Sequence, residues 1–464
     1  MSRLIVVSNR VPQPGAPSTG GLAVALRAAL EAEGGIWMGW SGKTCPDDEE
    51  PGFSLHHSGA ITWALSDLTD RDLAEYYQGF ANSALWPLFH YRLGLTEFAR
   101  GDSAGYHRVN RLFADRLAGM MRPGDLTWVH DYHLLPLGAE LRSRGISGRI
   151  GYFHHIPWPS PDVFMALPGA ERLLQAMTAY DLIGFQTPAD AQNFEACLIR
   201  ALPAQRQGAD MVCGTRRFRV GAFPISIDTA GFERRAAQAA GEPTLRRMRA
   251  SLTGQRLLIG VDRLDYTKGI PERIGGFRRF LSDFPDQAGQ VSFLQIAPRS
   301  RSDVEQYEAL EREIATLAGQ LAGEWGRLDW TPMRYVNRAF GQNVLAGLYR
   351  QADVALVTPL RDGMNLVAKE FVASQDPGDP GVLVLSRFAG AVQELGGGAL
   401  VVNPYDQEAI SQAISRALAM PLAERQSRHA AMMRNLRAHT VFDWCRGYLT
   451  ALEGHGAGLE KLPA

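Results

Sequence analysis

Residues 353–370 restrict the possible folds of this chain more than any other segment, because an apolar run, a polar loop and a helical pattern follow one another there. Residues 354–357, VALV, are typical of a short strand buried in a parallel sheet. Asp362 and Gly363 predict a turn. Apolar residues then recur at helical spacing, so we expect a helix that begins at about Gly363. The segment indicates an α/β fold.

The start of this helix is a candidate anion site. Helix N-termini present free N–H groups to negative charge, and open α/β sheets bind their ligands at the carboxyl ends of parallel strands. We therefore expect a phosphorylated ligand beside Gly363 and Met364, with Glu370 near enough to accept hydrogen bonds from a sugar hydroxyl of that ligand. An ordinary strand–loop–helix corner with a capping aspartate is the alternative, because short motifs give many false positives.

Length and composition bound the class of protein. A chain of 464 residues is too long for one ordinary core, which favours two or three domains. With 45% hydrophobic and 21% charged residues it resembles a soluble globular enzyme. The formal net charge of -1 excludes binding of nucleic acid through bulk charge, so any basic site must be local.

Cysteine spacing and the first residues indicate a cytoplasmic location. The first apolar run, residues 4–7, is far shorter than the core of a signal peptide or a membrane span, so we expect neither export nor a membrane partner. The cysteines have neither CxxC nor metal-ligand spacing, which is typical of a reducing compartment. They are Cys45, Cys197, Cys213 and Cys445.

Strand and helix patterns alternate along the chain and are interrupted once. The Ala- and Gln-rich segment 231–243 has little apolar periodicity and lies between two stretches of α/β alternation. We therefore predict two doubly wound domains, residues 1–235 and 236–437. A helix at about 438–455 is expected to pack back on the first domain.

Polar and cationic residues collect where predicted strands end, which is where functional side chains of α/β domains lie. His130, Asp131 and His133 follow one strand, and His154 and His155 follow another. Their spacing places no ligand pair on one helical face, so we expect discrete hydrogen-bonding roles and no metal. The cations at strand ends indicate more than one anionic ligand. They are Arg10, Arg263, Lys268, Arg299, Arg301 and Arg361.

Long motifs along nearly the whole chain resemble those of the trehalose-6-phosphate synthases, a family of retaining glycosyltransferases with the GT-B fold. The resemblance implies two facing Rossmann-like domains with a deep cleft between them. The motifs are GWSG from Gly39, EYYxxF from Glu75, LWPLFHYR from Leu85, HDYHLLP from His130, HIPWP from His155, RLDYxKG from Arg263 and TPLRDGMNLVAKE from Thr358.

The resemblance implies a set of donor-binding residues. Gly20 and Gly21 lie in a loop that touches donor and acceptor. Arg263 and Lys268 bind the donor diphosphate. The loop of residues 362–365 holds the transferred glucose, the first residues of the helix that follows it meet the phosphates, and the glutamate of that helix binds the ribose. In this order the residues are Gly20 and Gly21; Arg263 and Lys268; Asp362, Gly363, Met364 and Asn365; Leu366 and Val367; and Glu370.

It also implies acceptor and catalytic residues. Glucose 6-phosphate is expected to be held by Arg10, Tyr77, Trp86 and Arg301, with Asp131 as an acidic acceptor-site residue. The implied catalytic residues are His155, beside the glucose at the reacting centre, with Asp131, Arg263 and Lys268. Retention is expected by front-face attack, in which the departing phosphate takes the acceptor's proton. A role for Asp131 as nucleophile or base is a weaker alternative.

The expected reaction transfers glucose from a nucleotide-glucose, with UDP-glucose as first candidate, to glucose 6-phosphate, giving α,α-trehalose 6-phosphate without a cofactor. Three alternatives stay open. The acceptor could be glycerol 3-phosphate or a cyclitol phosphate, the protein could be a silent sugar-phosphate-binding subunit, or the histidine clusters could serve a metal-dependent hydrolase. A chelator would abolish activity only in the last case, and we expect it to have no effect. The sequence leaves open the donor base, regulation and whether the chain forms a homo-oligomer.

Overall fold

The computed structural model describes residues 3–11, 23, 26–27, 29–31, 34–252, 254–299 and 305–454. The chain divides into two compact units. Unit 1 extends to Ile225 and includes the C-terminal helix from Val441, and unit 2 is Ser226–Thr440. No helix within the described ranges has the length and apolarity needed to cross a membrane.

Unit 1 is built on a sheet of ten strands among the described residues, in the order β3-β4-β2-β1-β5-β6-β7-β10-β9-β8. The strands from β4 to β10 in this order are parallel, whereas β3 at one edge and β9 and β8 at the other pair in antiparallel fashion. The strands are β1 (Leu4–Arg10), β2 (Gly35–Cys45), β3 (Phe53–Ser58), β4 (Ile61–Thr69), β5 (Leu126–His130), β6 (Ile150–Phe153), β7 (Leu182–Phe185), β8 (Ala204–Gln207), β9 (Asp210–Cys213) and β10 (Arg216–Ala222).

The helices of unit 1 pack on this sheet because their apolar faces need cover. One of them, α2, has π-helical hydrogen bonding over its whole length, which is rare and often marks a functional site. The helices are α1 (Asp70–Asp72), α2 (Leu73–Leu85), α3 (Trp86–Phe89), α4 (Arg100–Ala118), α5 (Leu137–Ser143), α6 (Pro161–Phe164), α7 (Ala170–Met177) and α8 (Pro188–Ala201), with 3₁₀ turns at Leu93–Leu95 and Tyr132–Leu134.

Unit 2 has a fully parallel sheet in the order β13-β12-β11-β14-β15-β16. Numbered from its first strand this is 3-2-1-4-5-6, the doubly wound order whose direction switches between the first and fourth strands. The prediction of Rossmann-like α/β domains is therefore confirmed. The strands are β11 (Arg256–Val261), β12 (Val291–Ile296), β13 (Met333–Val336), β14 (Val354–Val357), β15 (Val382–Ser386) and β16 (Leu400–Val402).

Helices cover the sheet of unit 2 and bury the predicted apolar strands, so that all four side chains of β14 lie in the interior. The helices are α9 (Thr229–Gln238), α10 (Pro243–Ala250), α11 (Ile270–Asp283), α12 (Glu305–Trp325), α13 (Gln342–Gln351), α14 (Leu366–Ser374), α15 (Val392–Leu395), α16 (Gln407–Ala419) and α17 (Leu422–Ala438). The 3₁₀ turns are Ala239–Gly241, Tyr266–Lys268 and Pro285–Gln287.

The last described helix, α18 (Val441–Glu453), returns to unit 1 and packs on its strands. The Trp444 indole N–H donates to the Phe223 carbonyl at 3.1 Å. The Tyr448 hydroxyl donates to the Tyr152 carbonyl at 2.9 Å, and its ring stacks on Trp128 with centroids 4.5 Å apart. These aromatic contacts hold α18 against the strands of unit 1.

The boundary between the units differs from the one expected at residues 235/236. The chain passes from unit 1 to unit 2 between Ile225 and Ser226. Helix α9 therefore belongs wholly to unit 2, where it packs on α13 and α14 through a face that buries Phe232 and Ala236. The sequence obscures this helix because its apolar face is formed mainly by small residues.

Candidate active site

The loop between β14 and α14 lies at the switch point of the sheet in unit 2. Helix α14 begins at Leu366 and not, as expected, at about Gly363. Asn365 has a positive φ of 74° and caps the helix, since its side-chain oxygen accepts a hydrogen bond from the Ala368 N–H at 3.3 Å. Residues 362–364 therefore belong to the loop, and the helix begins three residues later than expected.

Three predicted donor residues form one polar cluster in this loop. The Lys268 ammonium contacts a carboxylate oxygen of Asp362 at 2.5 Å, and the Asn365 amide donates to the same oxygen at 3.1 Å. Lys268 is 9% exposed, so its charge is held in place by its surroundings. Leu366 and Val367 form the first turn of α14 and are partly exposed.

A close backbone contact fixes the conformation of the loop at Gly363 and Met364, both of which are buried. The Met364 carbonyl accepts a hydrogen bond from the Ala391 N–H at 2.8 Å. A Cβ atom on Gly390 would lie 1.9 Å from the Gly363 carbonyl oxygen, so this approach requires glycine at position 390. The loop is thereby held against the segment that follows β15.

Arg273 on α11 is the central cation of this region, although the sequence did not single it out. It is fully buried, and its guanidinium donates to Asp262 at 2.5 Å, to Thr358 at 3.0 Å and to the Lys268 carbonyl at 3.2 Å. A fourth bond reaches Gln295 at 3.0 Å. Burial raises the pKa of Asp262, and Arg273 opposes that rise. One side chain thus joins the ends of β11, β12 and β14.

The other predicted cations of unit 2 are closer to solvent. Arg263 directly follows Asp262 and is exposed. Arg361 lies over the Phe388 ring at 5.5 Å. Arg299 forms an ion pair with Glu311 at 2.8 Å.

Glu370 lies within the first two turns of α14, on a half-buried surface. Burial raises the pKa of its carboxyl to about 7, although Arg235 on α9 and the Tyr349 hydroxyl act in the opposite direction. Such a raised pKa in a carboxylate near the candidate donor loop is typical of functional sites.

In unit 1, Asp131 and His155 are brought together at the ends of β5 and β6. Asp131 has a positive φ of 75°, which is uncommon outside glycine and indicates a strained backbone. Its carboxylate accepts a hydrogen bond from the His155 backbone N–H at 3.3 Å. Its own N–H donates to the Phe153 carbonyl at 2.8 Å, so neighbouring strands hold the strained residue.

The His155 imidazole is linked to His130 and Gln186. Its Nε2 lies 3.0 Å from His130 Nδ1, and its Nδ1 lies 3.5 Å from the Gln186 side-chain nitrogen. Burial lowers the pKa of His155 to about 3, and burial together with His155 lowers the pKa of His130 well below its ordinary value. Both rings are therefore neutral at pH 7.

Two predicted acceptor residues of unit 1, Arg10 and Tyr77, lie beside Trp40. The Arg10 guanidinium is exposed and lies 5.4 Å from the centre of the Trp40 ring. Tyr77, on the π-helix α2, is 5.7 Å from Trp40 and stacks on His133 at 5.7 Å. Together with Trp40 and His133, which are buried, they form an aromatic cluster in which Arg10 and Tyr77 reach solvent.

Trp86 is more buried than an open binding residue would be, at 4% exposure. Its ring packs on His90 at 4.3 Å and on Tyr132 at 5.6 Å. Its backbone N–H donates to the Ala81 carbonyl, five residues earlier, which continues the π-helical pattern into α3.

Gly20, Gly21 and Arg301 lie outside the described residues. Among the residues that are described, no group of three or more histidine, cysteine, aspartate or glutamate side chains is arranged to hold a metal ion. Arg273, Gln186 and Gly390 were not predicted from the sequence. Gln186 directly follows β7, and this position at a strand end was the signal that could have found it.

Replacement of Arg273 by methionine is expected to lower the free energy of unfolding by about 3–5 kcal/mol, because buried Asp262 loses its cation. Unfolding in guanidinium chloride measures the free energy of unfolding of the variant and of the wild type. The matched control is Arg278→Met on the same helix, which removes an exposed ion pair with Glu324 and should cost about 0–1 kcal/mol. Equal losses in the two variants would contradict a central role for Arg273.

Glu370 is expected to make stability depend on pH in a way that Glu370→Gln removes. Its pKa is about 7 in the folded protein against an ordinary 4.5, so the unfolded chain ionises first as the pH rises. The stability contributed by the protonated carboxyl is fully present below pH 4.5 and is lost by the time the pH passes about 7. In urea unfolding, the wild-type advantage over Glu370→Gln should fall across this window and then stay level. A pH-independent difference would contradict the assignment.

Comparisons with known proteins identify the family of the chain. Residues 5–454 match glycosyltransferase family 20. A trehalose-6-phosphate synthase of Sinorhizobium fredii is 53% identical over 97% of this chain and 98% of the relative.

Two solved structures are similar over nearly their whole length. An α,α-trehalose-phosphate synthase (UDP-forming) from Burkholderia vietnamiensis has a TM-score of 0.95 at 47% identity, covering 98% of this chain and 97% of that one. A UDP-forming synthase from Burkholderia xenovorans in complex with glucose-6-phosphate has a TM-score of 0.94 at 43% identity, covering 98% and 100%. The resemblance seen in the motifs is confirmed, and the chain belongs to glycosyltransferase family 20.

Proposed function

We propose that this protein transfers glucose from a nucleotide-glucose, UDP-glucose first, to glucose 6-phosphate, and so forms α,α-trehalose 6-phosphate and a nucleoside diphosphate. The observation that carries the proposal is identity over nearly the full length to trehalose-6-phosphate synthases. The related solved structures are UDP-forming, and one of them was solved with glucose-6-phosphate. The two substrates of this chain are proposed on that basis.

The loop of unit 2 has the chemistry of a donor site. A nucleoside diphosphate leaves as a stable anion, so the protein mainly has to supply fixed positive charge. Lys268 and the N-terminus of α14 lie at the switch point, and Arg263 follows the neighbouring strand β11. We assign the diphosphate to these groups, the transferred glucose to residues 362–365, and the ribose to Glu370.

The aromatic cluster of unit 1 has the chemistry of an acceptor site. Arg10 supplies a cation for the phosphate of glucose 6-phosphate, and the partly exposed Tyr77 ring supplies a flat face for the sugar. The buried Trp40 ring supports both side chains. We also assign Trp86, Asp131 and Arg301 to this site, and Gly20 and Gly21 to contacts with both substrates. Burial of Trp86 favours a role in shaping the site through Tyr132 and His90.

The proposed chemistry needs no protein base. Burial lowers the pKa of His155 to about 3, so its imidazole is a weak base that would hold a transferred proton poorly at pH 7. Asp131 is held by its strained backbone and by the His155 N–H, which favours binding of the acceptor over nucleophilic attack. The departing phosphate therefore takes the acceptor's proton as the new bond forms on the same face, which retains the anomeric configuration.

We propose a cytoplasmic location. The four cysteines, all within the described residues, are free thiols, as is typical of proteins in a reducing compartment.

The experiment that tests the proposed reaction combines the purified protein with a panel of nucleotide-glucose donors and phosphorylated acceptors. We expect one product, α,α-trehalose 6-phosphate, identified by mass and anomeric NMR, at the same rate with and without a chelator. Transfer to glycerol 3-phosphate or a cyclitol phosphate alone would replace the proposed acceptor. No nucleotide release with any pair would indicate a silent subunit.

Arg263→Ala is expected to lower kcat/KM for the donor by about 10²–10³-fold, because one fixed charge on the leaving group is lost. Steady-state kinetics at saturating glucose 6-phosphate measures kcat/KM for the donor. The matched control is Arg279→Ala, which removes an exposed arginine of α11 that pairs with Asp283. Arg263 has no part in binding the diphosphate if both variants behave alike.

A further inference from the structure

A chain of hydrogen bonds connects Ile225, where the chain leaves unit 1, to His155 at the proposed reacting centre. The Ile225 backbone N–H donates to Gln186 Oε1 at 3.0 Å, and Gln186 Nε2 lies 3.5 Å from His155 Nδ1. His155 Nε2 is in turn 3.0 Å from His130 Nδ1. Ile225 is the last residue of unit 1 before the chain enters unit 2.

The orientation of the Gln186 amide follows from its partners. A backbone N–H can only donate, so the atom that faces Ile225 must be the amide oxygen. The NH₂ group of Gln186 therefore faces His155, and it too can only donate. His155 Nδ1 must accept, which means that it carries no proton.

The position of the remaining proton follows as well. Burial keeps His155 neutral at pH 7, so its single proton lies on Nε2 and points to His130 Nδ1. His130 then carries its own proton on Nε2, a buried atom without a partner among the described residues. In the opposite tautomer of His155, the Nδ1–H would face the NH₂ group of Gln186, donor against donor.

The other contacts of His155 cannot choose between these tautomers. Phe153, Trp444 and His130 pack against the imidazole with centroids 4.7, 6.1 and 5.3 Å away. Ring packing orients the plane of an imidazole but is nearly indifferent to which nitrogen carries the proton. His130 Nδ1 is also a polar partner, but it can donate or accept, and no described residue binds His130 Nε2 to fix its own tautomer. The choice therefore depends on Gln186.

We propose that Gln186 is a positioning residue that fixes the neutral Nε2–H tautomer of His155. The inference rests on the proposed function only in placing His155 beside the transferred glucose. Gln186 touches no reacting atom and acts through His155. Every enzyme molecule then presents the imidazole to the sugar in one protonation state and one orientation.

Two substitutions of similar length separate this role from simple packing. Gln186→Glu keeps an oxygen for the Ile225 N–H but sets an acceptor against His155, which should move the His155 proton to Nδ1. Gln186→Met removes both polar contacts and should leave a mixture of tautomers. Gln175→Glu, the same change at an exposed position of α7, is the matched control and should change nothing.

The decisive measurement is a long-range ¹H–¹⁵N spectrum of the ¹⁵N-histidine-labelled full chain without substrate, with His155 identified by loss of its signals in His155→Gln. We expect the Nε2–H pattern in the wild type and the Nδ1–H pattern in Gln186→Glu. The proposal is overturned if the wild type shows Nδ1–H, or if Gln186→Glu leaves the pattern unchanged. Because no substrate is present, these outcomes do not depend on whether the proposed reaction is correct.

Kinetics add a second test. We expect Gln186→Glu to lower kcat by up to about 10²-fold, with KM for the donor changed less than about threefold, because misplacement of a group at the reacting centre affects the chemical step. A wild-type kcat together with a changed tautomer would show that the tautomer has no role in the reaction and would also overturn the proposal.

Discussion

The buried guanidinium of Arg273 is the interaction on which the proposed donor site depends. A cation without solvent must have its donors satisfied, and here the partners come from the ends of three adjacent strands. Gly260 allows this approach, because a Cβ there would lie 2.7 Å from the guanidinium. The loops that carry Arg263, Lys268 and Asp362 are thus fixed relative to one another before any ligand binds, which spares the cost of ordering them at each turnover.

Backbone strain adds to this preorganisation in both units. Among the described residues three non-glycine residues have positive φ, and two of them, Asp131 and Asn365, lie in the proposed sites. Each is held by neighbours: Asp131 by the strand-end contacts to Phe153 and His155, and Asn365 by its cap on α14 and its bond to Asp362. Such strain persists only where the surrounding structure over-determines it. The two sites therefore keep their shape through packing elsewhere in the units.

The sequence predicted what depends on local pattern. It identified β14, the turn at Asp362 and the polar strand ends, because an apolar run and the residues that follow it are neighbours in the chain. It did not predict the helix start at Leu366, because an asparagine with positive φ and a distant glycine, Gly390, decide it. Arg273 was not predicted because its role, too, depends on residues that are distant in the chain. On α11 it is one more arginine beside exposed Arg278, and only the tertiary structure buries it.

The two proposed sites differ in charge: the donor site holds a fixed positive charge, whereas the histidines of the other site are neutral. In unit 2 a buried network keeps Lys268 in a fixed place, where positive charge stabilises a departing diphosphate. In unit 1 burial keeps His130 and His155 uncharged. A charged imidazolium beside the sugar would oppose the positive charge that develops on the anomeric carbon as the leaving group departs. A neutral ring of fixed tautomer leaves that charge to be balanced by the phosphate, which is also the base nearest to the incoming hydroxyl in the proposed front-face mechanism.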